Sequence, residues 1–445
     1  MVRYIKLLII FLFVNVSATA YANSESFFIV FTGEENGSIE PCGCFDGQIG
    51  GIVRKDTLIN SLKKEKSKVF LLSFGDLIKN SSRQEEIKLE YIYHSMEEMN
   101  YMLHNLGEKD LEIGPNLTNY LSQTYKIDIL SSNIKFVAPF DVQLKPYILK
   151  EFVGSDKTFN IVFLGILSKS LSGDFANNYI RISEPVKELK PLIKLLCNKA
   201  DLIVLLSHAS LEESVEIAKT FPEIGLIITG HDCDDPTELV TYVNDIPIVS
   251  AGRGGKYVGI AKYSIRNKII RNTAIDVVSL DKTYSDSKKM QLLLQEYQQK
   301  LKDEDLLGKI SQATLPEGLR YVGNSVCGMC HKTIYEHWEN TSHGKSFTTL
   351  INSGRQYDPE CVKCHTTGYG YVSGFLKIEQ DRHLMNVGCE SCHDAGSRHV
   401  KNVTLAYDSA VQKGCLICHD SEHSPKFQFD EYWKKIEHPV EVLQK

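Results

Sequence analysis

The five-residue pattern C-x-x-C-H recurs four times within the last 119 residues of the chain. It reads CGMCH at Cys327–His331, CVKCH at Cys361–His365, CESCH at Cys389–His393 and CLICH at Cys415–His419. Two thiols three apart share one helical turn and the histidine follows directly, so the three side chains can grip a single group. Twelve cysteines and fourteen histidines scattered over 445 positions would give about 0.01 such motifs by chance. The pattern is that of covalent c-type haem attachment. Cys327, Cys330, Cys361, Cys364, Cys389, Cys392, Cys415 and Cys418 would form the thioethers, and His331, His365, His393 and His419 would be the proximal iron ligands. A zinc site or a disulfide scaffold leaves the histidine after every pair unexplained. Four macrocycles on 119 residues leave roughly 30 residues each, too few for an ordinary core, so the haems must be the core.

Each iron also needs a sixth ligand or an open position. Six further histidines lie in this region: His337, His343, His383, His399, His423 and His438. His343 in a Thr-Ser-His-Gly run, His399 after Gly-Ser-Arg and His438 before Pro439 are the first distal candidates, followed by His423. His337, beside Trp338 on an expected helix, reads as a surface or packing residue, and His383 stays open.

These residues carry a family resemblance. The stretch from Gly323 to Pro439 resembles the cytochrome c-554 family of tetrahaem cytochromes. Its marks are the four motifs, Trp338 with Ser342-His343-Gly344, Glu360-Cys361, and Cys364-His365-Thr366-Thr367-Gly368-Tyr369-Gly370. Gly388-Cys389-Glu390-Ser391-Cys392-His393, His399, Ser424-Pro425-Lys426-Phe427, Tyr432-Trp433 and Ile436-Glu437-His438 complete them. The resemblance implies a small, mostly helical and loop domain of closely packed, mostly bis-histidine haems in a periplasm-type compartment. One haem is five-coordinate in some members.

Upstream the chain reads differently. Residues 1–22 have the form of a cleaved signal peptide: Arg3 and Lys6, an apolar run Leu7–Val14, and Ala20-Tyr21-Ala22. The apolar run is short for a membrane span, so none is expected after cleavage, and export to the periplasm is. Length argues for two domains, and 42% hydrophobic with 24% charged residues excludes a disordered or polytopic chain. A net charge of -6 offers no basic signature for a nucleic-acid partner. Strands are expected at Phe27–Phe31, Val69–Phe74, Asp128–Ser131, Ile161–Gly165, Leu202–Leu206, Leu226–Thr229 and Ile248–Ser250. Helices are expected at Leu58–Glu65, Glu85–His104, Pro185–Cys197 and Leu211–Thr220. This alternation predicts an α/β domain over 23–283, a helical connector over 284–315, and the haem domain over 316–445.

Polar residues just after strands mark where such a domain places its site. Gly50-Gly51 with Arg54, Gly75-Asp76, Ser132-Asn133, Leu206-Ser207-His208, Gly230-His231, and Ala251-Gly252 with Gly259 resemble the metallophosphoesterase domain of 5'-nucleotidases. The resemblance implies an αββα sandwich with two metal ions on strand-end loops. The departures are marked. The family's D-x-H falls on Glu34-Glu35-Asn36, its G-N-H-E on Gly107-Glu108-Lys109-Asp110, and its G-H-x-H on Gly230-His231-Asp232-Cys233. Asp76, His208 and His231 alone persist unchanged, so the domain reads as degenerate for phosphoester hydrolysis. A rebuilt site for one divalent metal would draw on Glu34, Asp76, Glu108, His208, His231, Cys233, Cys42 and Cys44. Disulfides among the three cysteines, or unused thiols, are the alternatives. Cys197 reads as a core residue, and His94 and His104 as surface or packing residues of the long helix.

The expected function is electron transfer through four haems, with redox partner proteins as donor and acceptor. The competing readings are a redox enzyme acting on a small nitrogen-oxide-like substrate at an open haem or the metal, a metal-dependent phosphoester hydrolase, and a docking scaffold.

Overall fold

The computed structural model describes residues 25–41, 47–65, 67–137, 141–173, 179–231, 236, 240–405, 414–421 and 423–438. The expected signal peptide and Cys42, Cys44 and Cys233 lie outside the described residues.

The first domain opens with β1 (Ser26–Thr32), α1 (Ile52–Lys64), β2 (Lys68–Ser73), α2 (Arg83–Met99), β3 (Leu103–Asn105) and α3 (Glu108–Glu112). It continues with α4 (Pro115–Tyr125), β4 (Asp128–Leu130), β5 (Ile134–Phe136), β6 (Leu144–Lys145), β7 (Ile148–Val153), β8 (Thr158–Leu167) and β9 (Ile180–Ile182). Then come α5 (Pro185–Leu196), β10 (Leu202–His208), α6 (Leu211–Thr220), β11 (Leu226–Gly230), β12 (Thr241–Val243) and β13 (Ile246–Val249). β14 (Tyr257–Arg266), β15 (Ile269–Ser279) and α7 (Lys288–Asp303) close it.

Two sheets form the middle layers. One has seven strands in the order β15-β14-β1-β2-β3-β4-β6, the other six in the order β12-β13-β11-β10-β8-β7. Side chains alternate across a strand, and both faces here are covered, so the central strands are apolar throughout. Phe27, Ile29 and Phe31 of β1 meet Phe163, Val204 and Leu206 between the sheets. Phe28 and Val30 face α1, α2 and α7, while Val162, Leu164, Ile203 and Leu205 face α5 and α6. The result is the αββα sandwich.

Three local differences from the sequence expectation have plain causes. The long helix stops at Met99, because Asn100 turns left-handed (φ 62°) and its N–H and that of Tyr101 close on Glu97 and Met96 carbonyls. His104 therefore lies in the central strand β3, fully buried, rather than on a helix. The β14–β15 hairpin went unread, although Asn267 and Lys268, both at positive φ, form its two-residue turn. Cys197 is half-buried at the C-terminal end of α5 rather than in the core.

In the second domain short helices replace strands: α8 (Asn324–Gly328), α9 (Lys332–Asn340), α10 (Ser346–Ser353), α11 (Pro359–His365), α12 (Cys389–His393) and α13 (Ser397–Lys401). Its apolar cluster is small, built on Phe347, Leu350, Val362, Phe375 and Leu384. α7 packs Met290, Leu293, Tyr297 and Leu301 into the first domain. Just beyond it Leu306 joins that core, and its neighbour Leu307 joins the core of the second domain. Across the contact Lys88 Nζ of α2 sits 2.7 Å from Glu360 and 2.8 Å from Glu85. Gln84 donates to Asp358 (2.8 Å), and Arg355 pairs with Glu40 (2.6 Å).

Candidate functional site

Strand ends of both sheets converge on one point in the first domain. Asp76 follows β2, Glu108 starts α3 just after β3, His208 ends β10, and His231 follows β11. One ligand atom from each of these four lies within 4.8 Å of the others. His208 Nε2 is 2.7 Å from Glu108 Oε2 and 3.7 Å from Asp76 Oδ1, and His231 Nδ1 is 3.6 Å from Glu108 Oε1. His208 Nδ1 lies 3.1 Å from the Phe74 carbonyl, which must accept its proton, so in the neutral ring the lone pair is on Nε2, turned to the cluster. The backbone is shaped for this approach. A Cβ on Gly75 would come within 2.5 Å of His208 Nδ1, and one on Gly107 within 2.1 Å of Asp76 Oδ1. Asp76 and His231 are themselves left-handed, at φ 53° and 79°.

The electrostatics are those of carboxylates crowded away from water. Burial pushes Asp76 up to about 7, with Asp110 and Glu108 adding to the rise against His208 and Lys109. Burial would lower His208, but Asp76 and Glu108 outweigh it and hold the imidazole at about 10. Burial likewise opposes ionisation of Glu108, which His208 nevertheless pulls down to about 2. Two carboxylates and two imidazoles at this spacing suit a divalent metal, whose ligand atoms lie about 2.0–2.2 Å from the ion.

Fixed cations occupy the adjoining positions. Lys109 Nζ lies 3.3 Å from Asp76 Oδ2 and donates to Asn36 Oδ1 at 2.7 Å. Glu34 receives Arg253 Nε at 2.9 Å and also accepts from the His231 backbone N–H, so it borders the cluster without joining it. Lys55 pairs with Glu35 at 2.5 Å. Beneath the cluster, Asp110 accepts from the backbone N–H groups of Asp76 (2.9 Å), Leu77 (3.0 Å) and Gly107 (2.9 Å), and His104 Nε2 stands 3.1 Å away. Asp110 therefore ties together the two loops that present Asp76 and Glu108. Sequence reasoning missed Arg253, Asn36, Asp110 and His104. Glycines on both sides of Arg253 and the G-x-x-D spacing were the available signals.

In the second domain three imidazole pairs face each other. Ring centroids are 6.4 Å apart for His331 and His399, 6.2 Å for His343 and His419, and 6.0 Å for His393 and His438. An iron about 2 Å from two imidazole nitrogens, each about 1 Å from its ring centre, spaces the centres by about 6 Å. The residues present therefore fit bis-imidazole haem iron. Burial, with His419 and His365 nearby, holds His343 down at about 4, which keeps it in the neutral form an iron ligand needs. Thiols of separate motifs touch: Cys327 meets Cys389, and Cys364 meets Cys418. His365 is turned by the Ser346 carbonyl, 2.7 Å from its Nδ1, and among the described residues no imidazole stacks across from it. His423 lies against Asp420 at 2.9 Å, His337 is exposed, and His383 packs on Gly323.

A two-sheet sandwich with imidazoles and carboxylates at its strand ends, followed by a helical domain bearing C-x-x-C-H motifs, defines a metallophosphoesterase fold joined to a c-type cytochrome. Comparison with known proteins bears this out at both ends. Residues 326–394 match the family model described as cytochrome c554 and c-prime. Cytochrome c-554 of Nitrosomonas europaea is 31% identical over 91 residues, covering 17% of this chain and 39% of that protein. The rat 5'-nucleotidase is 25% identical over 242 residues, covering 49% of this chain and 42% of that protein. The structure of a 5'-nucleotidase precursor from Thermus thermophilus superposes with a TM-score of 0.55 at 16% identity, over 74% of this chain and 68% of that one. The chain thus spans about two fifths of these curated relatives' lengths, 39% and 42%. Its first part is thus similar to 5'-nucleotidases and its second to the cytochrome c554 family, joined in one chain. Among the described residues no helix is long and apolar enough to cross a membrane.

Proposed function

We propose that this chain is an exported tetrahaem c-type cytochrome that passes single electrons between redox partner proteins in a periplasm-type compartment. When bound, the four haems supply reversible one-electron ferric–ferrous chemistry. The observation that carries the reading is the set of three facing imidazole pairs at 6.0–6.4 Å, each joining a motif histidine to one from elsewhere in the chain. His331, His365, His393 and His419 act as proximal ligands, and His399, His343 and His438 as distal partners of the first, fourth and third motifs. His423, held by Asp420, is left out of the ligand set.

His365 supports a second reading. With Ser346 orienting its ring and no imidazole opposite among the described residues, the second motif offers an open iron position for a small nitrogen-oxide-like ligand. The likeness of the first domain to nucleotidases supports a third, phosphoester hydrolysis at the Asp76 cluster, which cleavage of a generic phosphoester with added manganese or zinc would reveal.

The test is haem quantitation with EPR on the same oxidised sample. Four haems per chain, with three low-spin bis-imidazole signals and one high-spin signal, are expected. Four low-spin signals would remove the open position, and fewer than four haems would remove the tetrahaem assignment.

A further inference from the structure

The charges around the Asp76 cluster bear on how many ions it can take. We infer that the first domain holds one divalent transition-metal ion, on Asp76, Glu108, His208 and His231, and that the Lys109 ammonium permanently fills the adjoining position where a second ion would otherwise sit.

Four donors surround one point, and the tautomer of His208 is set by the Phe74 carbonyl at 3.1 Å so that Nε2 faces it. Among the described residues, the carboxylate and amide groups on that side are each turned to a cation built into the chain. Lys109 Nζ lies between Asp76 Oδ2 at 3.3 Å and Asn36 Oδ1 at 2.7 Å. Glu34 is taken by Arg253 at 2.9 Å, and Glu35 by Lys55 at 2.5 Å. Asp76 is 1% exposed, so the charge on its outer oxygen is met by Lys109 rather than by bulk water. A dication in the same place would sit within a few ångströms of an ammonium in a dry setting, where repulsion is strong. The single amide oxygen of Asn36 could not offset it.

Lys109 directly follows the ligand Glu108 at the start of α3, and its backbone N–H also donates to Asp76 Oδ1 at 3.0 Å. One short helix therefore delivers both a metal ligand and the cation that limits the site to one ion. Two imidazoles in the donor set favour manganese, iron or zinc over magnesium or calcium, which take oxygen donors.

The full-length haem-loaded protein, stripped with a chelator, tests this by equilibrium dialysis against Mn²⁺ or Zn²⁺ and elemental analysis. One equivalent per chain above the haem iron is expected, undisturbed by excess Mg²⁺. His208→Ala should bind none. Lys109→Gln should bind the ion at least tenfold more tightly, because the neighbouring positive charge is gone, whereas Lys109→Arg should match the parent. Far-UV CD and the haem spectrum report that each variant is folded. Two equivalents or none in the parent protein, or unchanged affinity in folded Lys109→Gln, would overturn the inference. The haem content and EPR that test electron transfer are independent of all these outcomes.

Discussion

Lys88 is the most deeply buried cation of the ion pairs described between the two domains, and its loss should be felt by both. Its side chain is 5% exposed, between Glu85 at 2% and Glu360 at 52%. Burial alone would lower its pKa, yet the two carboxylates hold the ammonium above its usual range. In Lys88→Met the aliphatic stem is kept and the charge is removed, so Glu85 is left buried as an anion. Among the described residues it then keeps the Lys79 backbone N–H at 2.7 Å as a donor. Removing one partner of a buried pair costs about 3–5 kcal/mol, and the lower end applies because that backbone donor remains. On the first domain, about 3 kcal/mol corresponds to a fall of roughly 6–12 °C in Tm. Urea unfolding followed by far-UV CD, with the haem band as a separate probe of the second domain, measures it. Glu360→Gln leaves the Glu85–Lys88 pair intact and should cost about 1 kcal/mol or less, since that partner is half exposed. Glu85→Gln added to Lys88→Met should recover most of the loss. A cost under about 1 kcal/mol for Lys88→Met, or an equal cost for Glu360→Gln, would refute the reasoning.

Other outcomes follow from the same geometry. His399→Ala should convert one low-spin ferric signal per chain to high spin, while His423→Ala should leave the EPR spectrum unchanged. Asp110→Asn removes the anion that accepts from three backbone N–H groups, and should weaken metal binding by about 10–100-fold by dialysis. In metal-stripped protein His208 stays protonated to about pH 10, against about 6.5 when unfolded. Its pairing therefore stabilises fully below pH 6.5 and is lost as pH rises towards 10, so the urea midpoint should fall across that window. Asp76, raised to about 7, acts in the same direction at lower pH. Zinc, which binds the neutral imidazole, should reverse the trend.

The parts of the molecule legible in the sequence are those written in short, local patterns. The haem motifs are contiguous, so their eight cysteines and four histidines could be named outright. The strands Phe27–Phe31 and Leu202–Leu206 could also be named, because burial on both faces makes them continuously apolar. Asp76, His208 and His231 were picked out by their places after strands, and Glu108 by its place in the resemblance, and the four do converge. What failed to show was pairing across long separations. Arg253 reaches Glu34 over 219 residues, and no local pattern announces it. The strand β3 is three residues long, so His104 looked like the end of a helix until Asn100 was seen to close that helix four residues earlier. The partner of each proximal histidine was equally hidden, because the pairing is made by loops folding around a shared centre rather than by spacing.

Leu306 and Leu307 are consecutive, yet they are buried in different cores. There is consequently no slack at the junction. For one domain to swing against the other, one of these leucines must come out into water, at about 1.5–3 kcal/mol. Exchange of an electron between two centres depends steeply on their separation, so a hinged molecule would conduct in bursts as it opened and closed. Here the spacing between the strand-end cluster and the second domain is held at that cost, so on the proposed electron-transfer reading the flow would be governed by what docks outside rather than by a hinge.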